Sequence, residues 1–259
     1  MENTPKCKYC GKPYILNKHT DIYPKSWKDK IKYIPACDCL EKVMKYELEQ
    51  REKEDDKKRQ ANRLKKYKDI SVIDKKLLNA NFLTAEKDNH IRLCQKYAEK
   101  FVKIGTAPQG LLLHGSVGTG KTFASACISN YLMENGKTVL VMNLGLYLIK
   151  LKKEWDEAES NVLDYVKRCD LLVIDDFGVE KITEFVLDKA FALIDTRYRA
   201  EKPLIITTNL SLKEITDKFG SRIADRLQEM CYPLRVEGQS KRLNRKRDEF
   251  MDFIAWQHI

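Results

Sequence analysis

From about residue 69 onward, short apolar runs alternate with stretches in which apolar residues recur every three or four positions. The runs at 111–113, 138–142, 171–174, 204–207 and 234–236 predict strands, and the patterns at 123–133, 182–199, 222–230 and 242–256 predict helices. Strands separated by amphipathic helices imply an α/β domain: a mostly parallel sheet between helices, binding its ligand at the carboxyl ends of the strands. No internal repeat is visible.

Upstream the texture differs. Residues 41–68 form a charge run without Gly or Pro, rich in strong helix formers, whose apolar positions (Val43, Met44, Tyr46, Leu48, Ala61, Leu64, Tyr67) are too sparse for a buried helix. A solvated helical linker is expected there. Residues 1–40 hold four of the eight cysteines among scattered aromatics (Tyr9, Tyr14, Tyr23, Trp27, Tyr33). The expected organisation is a small module at 1–40, a charged helical linker at 41–68 and one larger domain at 69–259.

Charge sharpens this division. The net charge of +10 resolves into +4 from residues 1–40 (8 basic, 4 acidic), +4 from 41–68 (11 and 7) and +2 from 240–259 (5 and 3), leaving 69–239 neutral with 24 of each. A basic balance favours an anionic partner, yet the large domain carries none of that excess, so nucleic-acid contacts there must come from locally placed cations. The longest weakly polar run, 138–149, is too short to cross a bilayer, and the first ten residues lack the apolar core of a secretion signal. A cytoplasmic protein without a membrane partner is expected, its cysteines reduced.

The chemistry is most legible at residues 110–122. Gly115-Ser116-Val117-Gly118-Thr119-Gly120-Lys121-Thr122 follows an apolar strand and opens a helical pattern, which is the context a phosphate-binding loop requires. Glycines let successive N–H groups turn inward toward phosphate oxygens; Lys121 reaches the β and γ phosphates of ATP, and the Thr122 hydroxyl binds Mg²⁺. A second apolar strand ends in Asp175-Asp176, placing Asp175 in the Mg²⁺ shell and Asp176 beside the attacking water. The 138–142 strand falls between these motifs in the chain and is expected to separate them in the sheet. A further strand runs into Asn209, which is positioned to bond the γ phosphate or the water.

Cys7-Lys-Tyr-Cys10-Gly11 with Cys37-Asp-Cys39 supplies four thiols in two close pairs, the donor set of a structural Zn²⁺ site. His19 or Asp38 is an alternative to one of these ligands. Cys94, Cys127, Cys169 and Cys231 stand alone in apolar patterns and are expected in the core.

Taken together, HGSVGTGKT, LLVIDDFG, Ile194-Asp-Thr-Arg197-Tyr, PLIITTNL, GSRIADRL and Gly238-Gln-Ser-Lys-Arg242 resemble the DnaC/DnaI-type helicase loaders and the related IstB transposition ATPases, a branch of the AAA+ P-loop ATPases. The resemblance covers about residues 75–245 and implies a five-stranded parallel sheet. It also implies that Asn209 is sensor 1, that Arg226 is the finger supplied to a neighbouring subunit's ATP, with Arg222 as second candidate, and that Arg242 is sensor 2. A finger acting in trans implies a homo-oligomer on ATP binding. The cysteine module resembles loaders more than IstB proteins, and in loaders that region grips a DnaB-type replicative helicase while the ATPase handles single-stranded DNA. By the same likeness the stretch holding Lys150, Lys152 and Lys153 lies near the DNA path, where these lysines would contact phosphates.

The leading expectation is an ATP-hydrolysing helicase loader using ATP, Mg²⁺ and Zn²⁺. The alternatives are an IstB-like helper that binds duplex DNA and a transposase, and a nucleotide-gated adaptor whose turnover is incidental.

Overall fold

The computed structural model describes residues 4–27, 30–71, 77–86, 88–153, 157–241 and 250–251, the side chains of 21, 150–153 and 157–161 excepted. The chain divides into two compact units, Met1–Ala61 and Asn62–Ile259.

In the first unit, β1 (Ile15–Leu16) pairs antiparallel with β2 (Tyr33–Ile34). Asn17 closes the intervening loop: its N–H donates to Lys32 O at 2.9 Å and its side-chain amide to Ile31 O at 3.1 Å. Helix α1 spans Cys39–Ile70, and its residues from Asn62 onward belong to the second unit. Its sequence has no apolar stripe; exposed ion pairs such as Lys42–Asp38 at 2.8 Å contribute a few tenths of a kcal/mol each. Among its described residues Tyr67 alone is buried, packing edge-on against Tyr165 with ring centroids 5.4 Å apart.

The second unit is a five-stranded parallel sheet in the order β4-β5-β6-β3-β7, comprising β3 (Gly110–His114), β4 (Val139–Asn143), β5 (Leu171–Asp175), β6 (Leu204–Thr208) and β7 (Cys231–Arg235). This corrects the expected strand order. β4 lies at the edge of the sheet, and β6 separates the phosphate-loop strand β3 from the acidic strand β5. Sequence neighbours need not be sheet neighbours, because helical crossovers permit the chain to skip a position and fill it later.

Strand residues alternate between two apolar faces. Leu111, Leu113, Val139, Val141, Leu171, Val173 and Ile205 pack toward α2 (Asn89–Ile104) and α3 (Lys121–Glu134). Leu112, Leu140, Met142, Leu172, Ile174, Leu204 and Ile206 pack toward α4 (Leu144–Lys153), α5 (Glu157–Arg168), α6 (Glu184–Arg199), α7 (Leu212–Phe219) and α8 (Ser221–Met230). Burial on both faces is why these strands read as continuous apolar runs. Each fully buried Leu or Ile contributes about 1.5–3 kcal/mol. Helix ends carry local signals: Ser211 and Glu214 form a reciprocal capping box on α7, and Gly105 closes α2 in the left-handed conformation. Cys94, Cys127, Cys169 and Cys231 are buried, as their patterns predicted.

The predicted helix at 242–256, which includes Arg242, lies outside the described residues except at 250–251. Among the described residues no helix is long and apolar enough to cross a membrane.

Candidate nucleotide site and cysteine cluster

β3 delivers the chain at His114 into the loop 115–120, and α3 begins at Lys121. Two glycines are demanded by close approach: a Cβ at Gly115 would collide with the Val236 carbonyl, and one at Gly118 with Ser240. Both also have positive φ, 138° and 82°. The segment after β7 therefore lies directly on the loop, where Lys241 N–H donates to Gly118 O at 3.0 Å. Lys241 Nζ bonds the carboxylates of Glu86 and Asp88, tying the same segment to the start of α2.

Lys121 is 5% exposed, and its ammonium donates to the Gly115 and Ser116 carbonyls at 2.8 and 2.6 Å, which holds it across the loop. Thr119 Oγ1 donates to Ser116 O at 2.9 Å, bracing the turn. Val117 is exposed at the loop's tip.

β6 links the acidic strand to the loop strand. Ile206 pairs with Ile174 on one side, and Thr208 with His114 on the other. The Thr207 hydroxyl donates to Asp175 Oδ1 at 2.5 Å and accepts from the Asp176 N–H at 2.9 Å, so one side chain fixes both acids. Burial raises the Asp175 pKa above the ordinary aspartate value, as does the Asp176 charge, while the Thr207 and Thr122 hydroxyls pull it down. Influence of Thr122 on Asp175 brings the two expected Mg²⁺ ligands together. The donor set, one carboxylate oxygen and one hydroxyl oxygen beside an ammonium, suits a hard cation bridging phosphates. Asp176 has φ 53°, a left-handed conformation that Asp tolerates better than most residues. Asn209 is exposed immediately past the end of β6, on the same edge of the sheet.

The two α8 arginines differ. Arg226 Nη2 lies 2.7 Å from Asp195 Oδ1 of α6, the two side chains being 23% and 15% exposed. Its guanidinium sits 4.7 Å from the Phe191 ring centre and 5.3 Å from that of Tyr198. Arg222, one turn earlier, is exposed. Arg197 is wholly buried and binds the carbonyls of Val166, Cys169, Asp170 and Pro203 at 2.8–3.1 Å, clamping the entrances to β5 and β6.

Cys7, Cys10, Cys37 and Cys39 converge, with all four sulfurs within 4.8 Å of one another. Gly11 has φ 72° and its N–H donates to Cys7 O at 2.8 Å, closing the turn between the first pair. The backbone N–H groups of Cys10 and Tyr9 lower the Cys7 thiol to about 7, while the neighbouring Cys10 and Cys37 push Cys39 up to about 12. Crowded thiols whose ionisations oppose one another fit a divalent metal that would relieve the repulsion. His19 and Asp38 are not members of the cluster.

Arg242 and the side chains of Lys150, Lys152 and Lys153 lie outside the described residues. Sequence reading missed Thr207, Asp195 and the Lys241 contacts. A threonine two positions before Asn209 was a usable signal; Asp195 and Lys241 lie inside two of the quoted motifs, but their contacts could not be read, because pairs distant in sequence leave no periodic trace.

Comparison with known proteins matches residues 28–249 to the IstB-like ATP binding protein family. The chain is 24% identical to the replicative helicase loader DnaI of Bacillus subtilis over 93% of this chain and 80% of that one. With the replicative helicase loader DnaC of Escherichia coli K12 it shares 27% identity over 54% of this chain and 57% of that one. A crystal structure of DnaI superposes with a TM-score of 0.56 at 25% identity, covering 66% of this chain and 95% of the other.

Proposed function

Because the chain belongs to the IstB-like ATP-binding family, we propose that it is an ATP-dependent loader that binds a DnaB-type replicative helicase and helps place it on single-stranded DNA. One observation carries the choice of loader over transposition helper. The likeness to the loader DnaI spans 93% of the chain and 80% of that protein. An amino-terminal cysteine module ahead of this ATPase serves the docking of a partner, and Zn²⁺ held by Cys7, Cys10, Cys37 and Cys39 would supply the folding energy that so short a segment lacks.

The ATP chemistry follows from the residues in place. Loop N–H groups and Lys121 bind the phosphates, while Thr122 and Asp175 hold Mg²⁺, which supplies charge neutralisation at the transferring phosphoryl group. Asp176 and Asn209 orient the attacking water. Arg222 supplies the trans guanidinium to a neighbouring subunit, being exposed where Arg226 is engaged by Asp195 and two aromatic rings. Hydrolysis then requires assembly of copies, with Arg242 as sensor 2 and Lys150, Lys152 and Lys153 as contacts to the strand.

The test is co-migration of the purified protein with its host's replicative helicase in gel filtration. Formation of a complex that Cys37→Ser weakens supports the proposal; co-migration with a transposase and duplex DNA, and not with the helicase, supports the transposition reading instead.

A further inference from the structure

A basic cleft of about 880 Å³ opens at the end of the sheet opposite the phosphate loop. It is lined by Arg63 and Lys66 from the end of α1, Lys167 and Arg168 from the last turn of α5, and Lys202 from the α6–β6 connection. Arg168 and Lys202 precede β5 and β6, whose opposite ends carry Asp175 and Asn209, so the cleft and the nucleotide site are separated by the length of the strands. Among the described residues the only acid lining it is Asp164, which is paired with Arg168 at 3.2 Å.

Helix capping accounts for part of this charge. Lys202 Nζ donates to Arg168 O at 2.9 Å and Arg63 Nη2 reaches the same carbonyl at 3.5 Å, meeting the negative end of α5. One carboxylate and the helix terminus offset only part of five cations. Lys66 lies over the Tyr165 ring at 5.2 Å and Lys167 is exposed; neither touches a carbonyl in the described contacts. Arg63 and Lys66 come from the basic run 41–68, while Lys167, Arg168 and Lys202 belong to the stretch 69–239, whose bulk charge is zero, so their clustering is local.

We propose that this cleft holds the sugar–phosphate backbone of single-stranded nucleic acid, as a second contact distinct from the lysines after β4. What the cleft offers is charge. Tyr67 is buried and Tyr165 is covered by Lys66 on its face and Tyr67 at its edge, so a protein partner would find no apolar anchor, and bases would find no open ring on which to stack. A ligand recognised by charge alone is a phosphate backbone, and a positively charged groove that tracks the backbone is how single strands are held without sequence preference. Binding here is therefore independent of sequence.

The inference rests on the reading of the chain as a nucleic-acid-handling ATPase, and its test separates the two. Anisotropy of labelled oligo(dT) is titrated with the full chain in ATP across a salt series, for wild type, Lys66→Glu/Lys167→Glu and the milder Lys66→Ala/Lys167→Ala. Each phosphate contact contributes about 0.7 to the slope of log affinity against log salt, so the double variants should lose about 1.4 from the slope and bind roughly tenfold or more weakly at 0.1 M salt. Basal ATP hydrolysis and the melting temperature should stay at wild-type values. Unchanged slope and affinity in both variants, with wild type binding normally, overturns the cleft alone; loss of helicase binding with DNA binding intact also overturns it, in favour of an acidic protein partner. Absence of oligo(dT) binding by wild type overturns the loader reading together with the cleft.

Discussion

Asp195 of α6 holds Arg226 of α8, with Nη2 2.7 Å from Oδ1, and its other oxygen takes Arg199 Nε at 2.7 Å. One largely buried carboxylate thus takes an exposed guanidinium from its own helix and a half-buried one from α8, and only the second joins the two helices; the aromatic rings of Phe191 and Tyr198 flank it. Arg226→Ala should lower stability by about 1–3 kcal/mol, seen as a lower melting temperature, because it leaves Asp195 short of a partner. Arg222→Ala should keep the melting temperature and ATP binding while lowering hydrolysis by about 10³-fold in assembled protein. A melting temperature that falls for Arg222→Ala and not for Arg226→Ala would reverse the two roles.

Thr207 bridges the acids, so its removal should act on turnover more than on binding. Thr207→Val retains shape but deletes both hydrogen bonds, and kcat should fall about tenfold or more with nucleotide affinity within about threefold of wild type. Thr207→Ser should restore the rate. Equal losses in Val and Ser variants would show that the hydroxyl bridge does not matter.

Asp176 occupies left-handed backbone at φ 53°. Asn tolerates that conformation, so Asp176→Asn should bind ATP and keep its melting temperature while losing hydrolysis. A β-branched replacement such as Asp176→Val should in addition destabilise by about 1–2 kcal/mol, through backbone strain. Thermal melts of the two variants, run beside ATPase assays, separate chemistry from strain.

The cysteine cluster predicts a metal stoichiometry. Purified protein should carry one zinc per chain by elemental analysis, and Cys37→Ser or a strong chelator should release it. ATP binding by the Asn62–Ile259 unit should persist in the variant, because the cluster lies wholly in the other unit. Retention of a full zinc equivalent after loss of Cys37 would remove it from the ligand set.

Much of this was legible from residue types. Gly115 to Thr122, Asp175-Asp176 and Asn209 announce themselves because phosphate and metal chemistry restricts which residues can serve, and they occupy consecutive chain positions beside apolar strands. Strands β3 to β6 were legible for the same reason, since burial on both faces makes each an unbroken apolar run, whereas the edge strand β7 exposes Tyr232, Pro233 and Arg235. Sheet order was not: nothing in 138–142 says that it forms an edge while 204–207 enters the middle. Nor was Arg197, whose four carbonyl partners lie 6 to 31 residues away and whose sequence context suggests a surface cation. The basic cleft likewise assembles from three segments, each of which alone reads as a solvated helix end.

Strand displacement by the replicative helicase reports its loading. Host DnaB-type helicase is incubated with a primed circular single-stranded DNA and ATP, with and without this protein, and release of the annealed strand is followed. Release should depend on the protein and be lost with Lys121→Ala and with Cys37→Ser. Release that is unchanged by adding the wild-type protein, under conditions where the helicase itself is active, would contradict a loading role.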